Sequence, residues 1–164
     1  MKEPKIHKSA YIDPKATIIG DVEIGEGCSI WTGAVLRADG KIRIGNYTNI
    51  QENCVVHAPE GNTTKIGNHV TICHGAIIHG CTIEDYVLIS MGAIVMDRAV
   101  VRTEAIVDAG ALVVEGHEIA SGDLIHGVPG KKERNLTKSE REYIRGCAAL
   151  YAGRAKNLLK NSNR

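Results

Sequence analysis

The sequence predicts an all-β solenoid: a triangular prism of short parallel strands, about seven coils long, closed by one C-terminal α-helix. Three features carry that reading. Ile, Val or Leu recurs every six residues, with a few slips, from Ile12 to Ile125. A small or β-branched residue stands four positions after most of these aliphatics, as at Ala16, Cys28, Ala76 and Ala111. The composition suits a narrow core, with no Phe, 4% aromatic residues and 18 glycines. A period of six matches neither the 3.6 residues of a helical turn nor the two-residue alternation of a strand. It does give one hexapeptide per face of a three-sided prism. The bulky aliphatic then points inward, the small residue fits near a tight corner, and glycine relieves unusual backbone angles there.

Taken in order, the series runs Ile12, Ile18, Ile24, Ile30, Leu36 and Ile42, slips by two to Ile44, and continues through Ile50 and Val56. It restarts after an insertion at Ile66, Ile72 and Ile78, loses one residue, and proceeds in sixes from Ile83 to Ile125. Residues 1–130 are therefore expected to form the solenoid domain. Val128-Pro129-Gly130 stops the repeat, and residues 131–164 form a basic helical segment packed against it. Its helix is expected over 138–160, with Thr137 as N-cap and Glu140 completing a capping box. Tyr143, Ile144, Cys147, Leu150, Tyr151, Leu158 and Leu159 supply an apolar stripe to lie along one prism face. Ala148, Ala149, Ala152 and Ala155 favour helix and permit close approach.

Charge is balanced overall, at +1, but unevenly placed. Residues 131–164 carry ten Lys/Arg against three Asp/Glu, whereas residues 1–130 carry ten against sixteen. The tail thus reads as an element docking on an acidic body, and no nucleic acid partner is expected. No apolar run is long enough to span a membrane, and no signal peptide is visible. Five cysteines without a CxxC pair argue against a disulfide framework and for a reducing, cytoplasmic setting.

Position within the repeat separates the seven histidines. His57 directly follows Val56 and His79 directly follows Ile78; the interval between them is one coil plus the excess of the insertion. They should share one corner in adjacent coils, about 5 Å apart. Arg37 follows Leu36, one coil and one slip earlier, so Arg37, His57 and His79 form a column. His74, two residues past Ile72, lies near the preceding corner, and one chain has difficulty bringing it to the pair. A neighbouring copy around a three-fold axis would supply it. Three imidazoles with a fourth position open to water match a catalytic zinc site, which Fe(II) or Co(II) would also accept. Gln51, after Ile50, is expected beside the histidine column, and Arg37 and Asp39 are expected to pair between subunits and hold the cleft.

Arg37-x-Asp39, Asn49-x-Gln51, His57 and His74-x4-His79, set in hexapeptide coils, resemble the γ-class carbonic anhydrases, and the similarity covers nearly the whole chain. The resemblance implies a left-handed parallel β-helix, a homotrimer, and Zn(II) or Fe(II) held by His57 and His79 of one subunit and His74 of the next. It implies reversible hydration of CO2 to bicarbonate and a proton by metal-bound hydroxide, with Gln51 beside the metal-bound water and Arg37 and Asp39 linking subunits. The chain departs from the most active members in one respect. Gly40 stands where they carry a glutamate, and the insertion 58–65 is short. Glu60 and Glu52 are the remaining candidates for the proton relay.

Two other functions compete. A CoA-dependent acyltransferase would use His79 as general base, but needs one base rather than a stacked pair. A non-catalytic metal-binding or assembly subunit would keep the site without the relay. His69 is read as polar surface, Cys73 and Cys81 as small packing residues, and Met91 and Met96 as gap fillers at the interface. No phosphate-cradling or dinucleotide motif is present.

Overall fold

The computed structural model describes residues 2–162, with side chains as far as Lys160. Three faces wind round one axis. The first is built from Tyr11–Ile12, Ser29–Ile30, Asn49–Ile50, Thr71–Ile72, Leu88–Ile89, Ile106–Val107 and Asp123–His126. The second and third form one 11-stranded sheet, because the strands Thr17–Ile24 and Val35–Ile44 continue around the corner between them. Rungs of successive coils are parallel and in register: Leu36 beside Val56, Val56 beside Ile78, Ile78 beside Val95. The inward aliphatics stack along the axis, and Ile30, Leu36, Ile42, Ile50, Ile72 and Ile78 are fully buried. The small residues four positions on, such as Cys28, Ala34, Ala76 and Ala111, are buried beside them.

Glycine acts at the corners in two different ways. The left-handed backbone falls on the third residue after a rung, as at Gly27, Gly33, Gly75 and Gly92, and also at Tyr47, His69 and Tyr86. The glycine directly after a rung answers to crowding instead. A Cβ on Gly45 would stand 2.6 Å from Asn68 Oδ1 of the next coil, and one on Gly25 2.5 Å from Asn46 Oδ1. Those asparagine side chains accept backbone N–H bonds from Glu26 and Asn46, so the corner is tied to the coil above it.

Helix α1 spans Lys138–Ser162. The predicted cap is formed: Glu140 N donates to Thr137 Oγ1 at 3.2 Å, and Thr137 N donates to Glu140 Oε2 at 2.8 Å. At 1.5 Å per residue, 25 residues reach roughly 37 Å, about the height of seven coils at ~4.8 Å each. The helix runs from the last coil back towards the first. Arg141 meets Glu104 at 2.5 Å, Arg145 meets the same carboxylate and stacks 4.1 Å over Tyr86, and Tyr151 packs edge-on against Trp31. The basic tail therefore docks on acidic groups of the prism, as its charge suggests. A strand the sequence did not announce, Lys131–Asn135, precedes the helix and pairs antiparallel with Asp123–His126. All five of its residues are exposed, so no apolar alternation marks it, yet it covers an edge that would otherwise be open.

The three faces differ in what lies outside them. The first is covered: Leu88, Ile106 and Leu124 point outward and are 6%, 7% and 9% exposed beneath Leu136 and Ile144. The third carries a charged ladder, Lys5, Glu23, Arg43 and Lys65, in which Arg43 also pairs with Asp21 at 2.8 Å. The second presents an apolar ladder of Val35, Val55, Ile77, Ile94 and Leu112 that no described element packs over; Val55 and Ile77 are 37% and 38% exposed.

Candidate metal centre

The histidine column stands at the corner between the second and third faces. Strand pairing sets Arg37 beside His57 and His57 beside His79, so the one-coil count made from the sequence holds. The two rings lie 4.8 Å apart, with His57 Nδ1 and His79 Nε2 at 2.9 Å. The outer nitrogen of each ring meets a carboxylate. His57 Nε2 stands 2.8 Å from Asp39 Oδ2, and His79 Nδ1 stands 2.8 Å from Asp97 Oδ2. Arg37 lies 3.1 Å from Asp39 and 2.8 Å from His57 Nε2. The His57 hydrogen bond, with the Arg37 charge behind it, holds the Asp39 carboxyl below the usual carboxylate range. Arg37 and Asp39 were expected to pair between subunits; the single subunit pairs them with each other, both about half exposed, over the His57 ring.

The donor chemistry suits a cation. With the outer N–H of each ring given to its carboxylate, the two nitrogens facing one another at 2.9 Å both present lone pairs; Arg37 donating to His57 Nε2 instead puts the proton of His57 on Nδ1, between the two rings. Two lone pairs at that distance repel unless a proton or a metal ion lies between them. Among the described residues, one chain brings no third His, Cys, Asp or Glu into a common ligand group.

His74 is at the other edge of the second face, in the turn between Thr71–Ile72 and Ile77–His79. Its Nδ1 donates to Glu52 Oε2 at 2.6 Å, and the histidine is exposed. Gln51 belongs to this corner, the one next to the histidine column. It follows the rung Asn49–Ile50 of the first face, with Cys73 one coil on, since its N–H bonds Ile72 O. It is buried, and its Nε2 donates to Asn49 Oδ1, while Asn49 Nδ2 donates to Thr71 Oγ1. One chain thus carries two separate clusters: Arg37, Asp39, His57 and His79 on one edge of the bare apolar face, and Gln51, Glu52 and His74 on the other.

Gly40 has a structural reason. A Cβ there would stand 2.1 Å from Asn62 O and 2.3 Å from Pro59 O, because the short 59–62 turn folds directly over it. No glutamate fits at that position with this turn. Glu60 sits exposed on the same turn, whereas Glu52 is committed to His74. Asp97 was missed by sequence reasoning, although it lies eighteen residues after His79. His69 is also more than polar surface: it stacks between Tyr47 and Tyr86, at 5.3 and 4.8 Å. Cys73 packs against the cluster containing Ile144, and Cys81 is buried; burial pushes both thiols up to about 12, which suits packing residues. Met91 and Met96 are exposed at the two edges of the apolar face.

A left-handed parallel β-helix of hexapeptide repeats, with paired imidazoles at one corner, defines the class of protein. Residues 3–38 match the family model described as bacterial transferase hexapeptide (six repeats). The chain is 46% identical over 154 residues to the probable carbonic anhydrase of Methanocaldococcus jannaschii, covering 93% of this chain and 97% of that one. It is 45% identical over 157 residues to mitochondrial gamma carbonic anhydrase 2 of Arabidopsis thaliana, covering 92% of this chain but only 56% of the plant protein's length. A crystal structure of a hexapeptide transferase family protein from Anaplasma phagocytophilum superposes with a TM-score of 0.91 at 42% identity, covering 94% of this chain and 92% of that chain. The chain belongs to the γ-class carbonic anhydrase family.

Proposed function

We propose that the protein catalyses the reversible hydration of CO2 to bicarbonate and a proton. It would do so as a homotrimer, with a divalent metal held by His57 and His79 and by His74 of the partner subunit. The observation that carries this is the division of the donors. Two imidazoles lie on one edge of a bare apolar face and the third on the other edge. Packing copies on that face about a three-fold axis covers Val55 and Ile77 and brings the two edges together, which a monomer does not do. Zn(II) suits three neutral imidazoles with an open position, and Fe(II) and Co(II) are the alternatives.

Such a metal supplies Lewis acidity that makes water nucleophilic near neutral pH. The rest is the work of the chain. With a metal bound, Asp39 would take the outer N–H of His57 and keep its inner nitrogen available. Arg37 places a fixed positive charge beside that pair, which suits an anionic product. The Gln51 amide, held by Asn49, orients polar groups in the cleft without adding charge. The exposed Glu60 is the proton acceptor best placed to exchange with solvent, on a turn that begins two residues after His57.

Stopped-flow CO2 hydration on anaerobically purified, metallated protein tests this, with metal content measured on the same sample. Activity at about one metal per subunit, lost together with the metal in His79→Ala, is the expected result. A second reading has its own observation, the packing of the 59–62 turn over Gly40, which removes one relay position. Full metal occupancy without activity above buffer would defeat the enzyme reading in favour of a non-catalytic metal-binding subunit.

A further inference from the structure

The geometry points to Asp97 as a positioning residue that sets the tautomer of His79. The inference deepens the proposed metal site and rests on that reading only for its consequence, not for its geometry. His79 Nδ1 lies 2.8 Å from Asp97 Oδ2, while its Nε2 is the nitrogen turned towards His57. An ionised carboxylate accepts and cannot donate, so the contact requires the proton on Nδ1 and frees the lone pair on Nε2. Without Asp97, a neutral His79 gains by protonating Nε2 instead, where His57 Nδ1 stands ready to accept at 2.9 Å. That tautomer blocks both inner nitrogens at once.

The surroundings hold the carboxylate in place. Asp97 O accepts from Gly116 N, and Gly80 O accepts from Arg98 N, so the backbone on both sides of the contact is bonded between coils. A Cβ on Gly80 would stand 2.1 Å from Asp97 Oδ1; the absence of a side chain at 80 gives the carboxylate room to reach back over the ring. Arg98, beside it in sequence, is engaged by Glu115 and does not compete for Asp97. Carboxylate partners of this kind fix ring orientation and raise ligand basicity, and their loss usually costs roughly 10–100-fold in metal affinity.

The test uses the full-length protein and two readouts. In metal-free protein at pH 8.5, long-range proton–nitrogen NMR of His79, assigned by its loss in His79→Gln, should show the Nδ1–H tautomer. Asp97→Ala should shift His79 mainly to Nε2–H, and Asp97→Asn, which keeps the volume and one acceptor oxygen, should fall between. Chelator competition with Zn(II) should show about a 10–100-fold weaker affinity in Asp97→Ala with unchanged circular dichroism. An Nε2–H tautomer in the wild type, or the same tautomer in wild type and Asp97→Ala, overturns the inference. A tautomer switch in a protein that binds no zinc at all upholds the positioning role and defeats the metal reading instead.

Discussion

The first and second faces of the prism are made from the same repeat, yet they end in opposite conditions. Each turns aliphatic side chains outward along its later coils: Leu88, Ile106 and Leu124 on the first, Val55, Ile77, Ile94 and Leu112 on the second. On the first face those side chains are under a tenth exposed, because Leu136 and Ile144 close over them. On the second, Val55 and Ile77 remain more than a third exposed, between one edge that carries the His57–His79 pair and another that carries His74. Covering is thus intramolecular on the first face, whereas on the second the proposed trimer would supply it and assemble the site.

Changing the bare face should have the greatest consequence. Ile77→Asp places a charge at the centre of the surface assigned to a second copy, where an uncompensated buried charge costs several kcal/mol. Association should weaken by about a hundredfold or more, roughly 3 kcal/mol, and sedimentation should show monomers that keep the β-rich circular dichroism of the prism. A trimer of unchanged stability would mean that the second face is not the interface, and the contrast with the first face would fail.

The covered face should respond in stability rather than assembly. Ile144 is 1% exposed, and Ile144→Ala removes buried aliphatic volume at a cost of about 2–5 kcal/mol. Thermal unfolding should shift down while the oligomeric state is unchanged. If the variant instead dissociates, the helix contributes to the interface, and the two faces are less independent than their geometry suggests.

The smallest effect belongs to the helix cap. The Arg134 ion pair, together with the Thr137 N–H bond, lowers the Glu140 carboxyl from its ordinary 4.5 to about 2. A depressed carboxyl pKa stabilises the folded state fully above the unfolded value and less as pH falls. The cap's contribution should therefore be complete above pH 4.5 and be lost between there and about pH 2. Acid titration followed by helix circular dichroism should show this dependence in the wild type and a flatter curve in Glu140→Gln. Equal curves would mean that docking on Glu104, and not the cap, governs the first turn of α1.

Much of this was countable in advance. The inward rungs and the Arg37–His57–His79 column follow from adding coils and slips, and the Thr137–Glu140 cap from the capping-box spacing. The Tyr47–His69–Tyr86 stack was equally countable, since each ring stands three residues after an inward aliphatic, at Ile44, Ile66 and Ile83. Asp97 was hidden by the residue lost between Ile78 and Ile83, which puts Met96, not Asp97, in the rung position above His79. Gln51 was countable as well, since it follows Ile50 and so falls one corner before the histidine column.

The sequence alone thus determined everything that repeats along the axis: the prism, its core, the stacked imidazoles and the helix that ends it. Hydrogen bonding between coils holds successive rungs at a constant spacing, so position in the chain translates directly into position in space. Tertiary structure decided what happens across the axis: the strand Lys131–Asn135 against the last coil, the turn over Gly40, the carboxylate behind His79, and which face stays bare. Those outcomes depend on side-chain reach and on packing between segments far apart in the chain, and no periodicity encodes either.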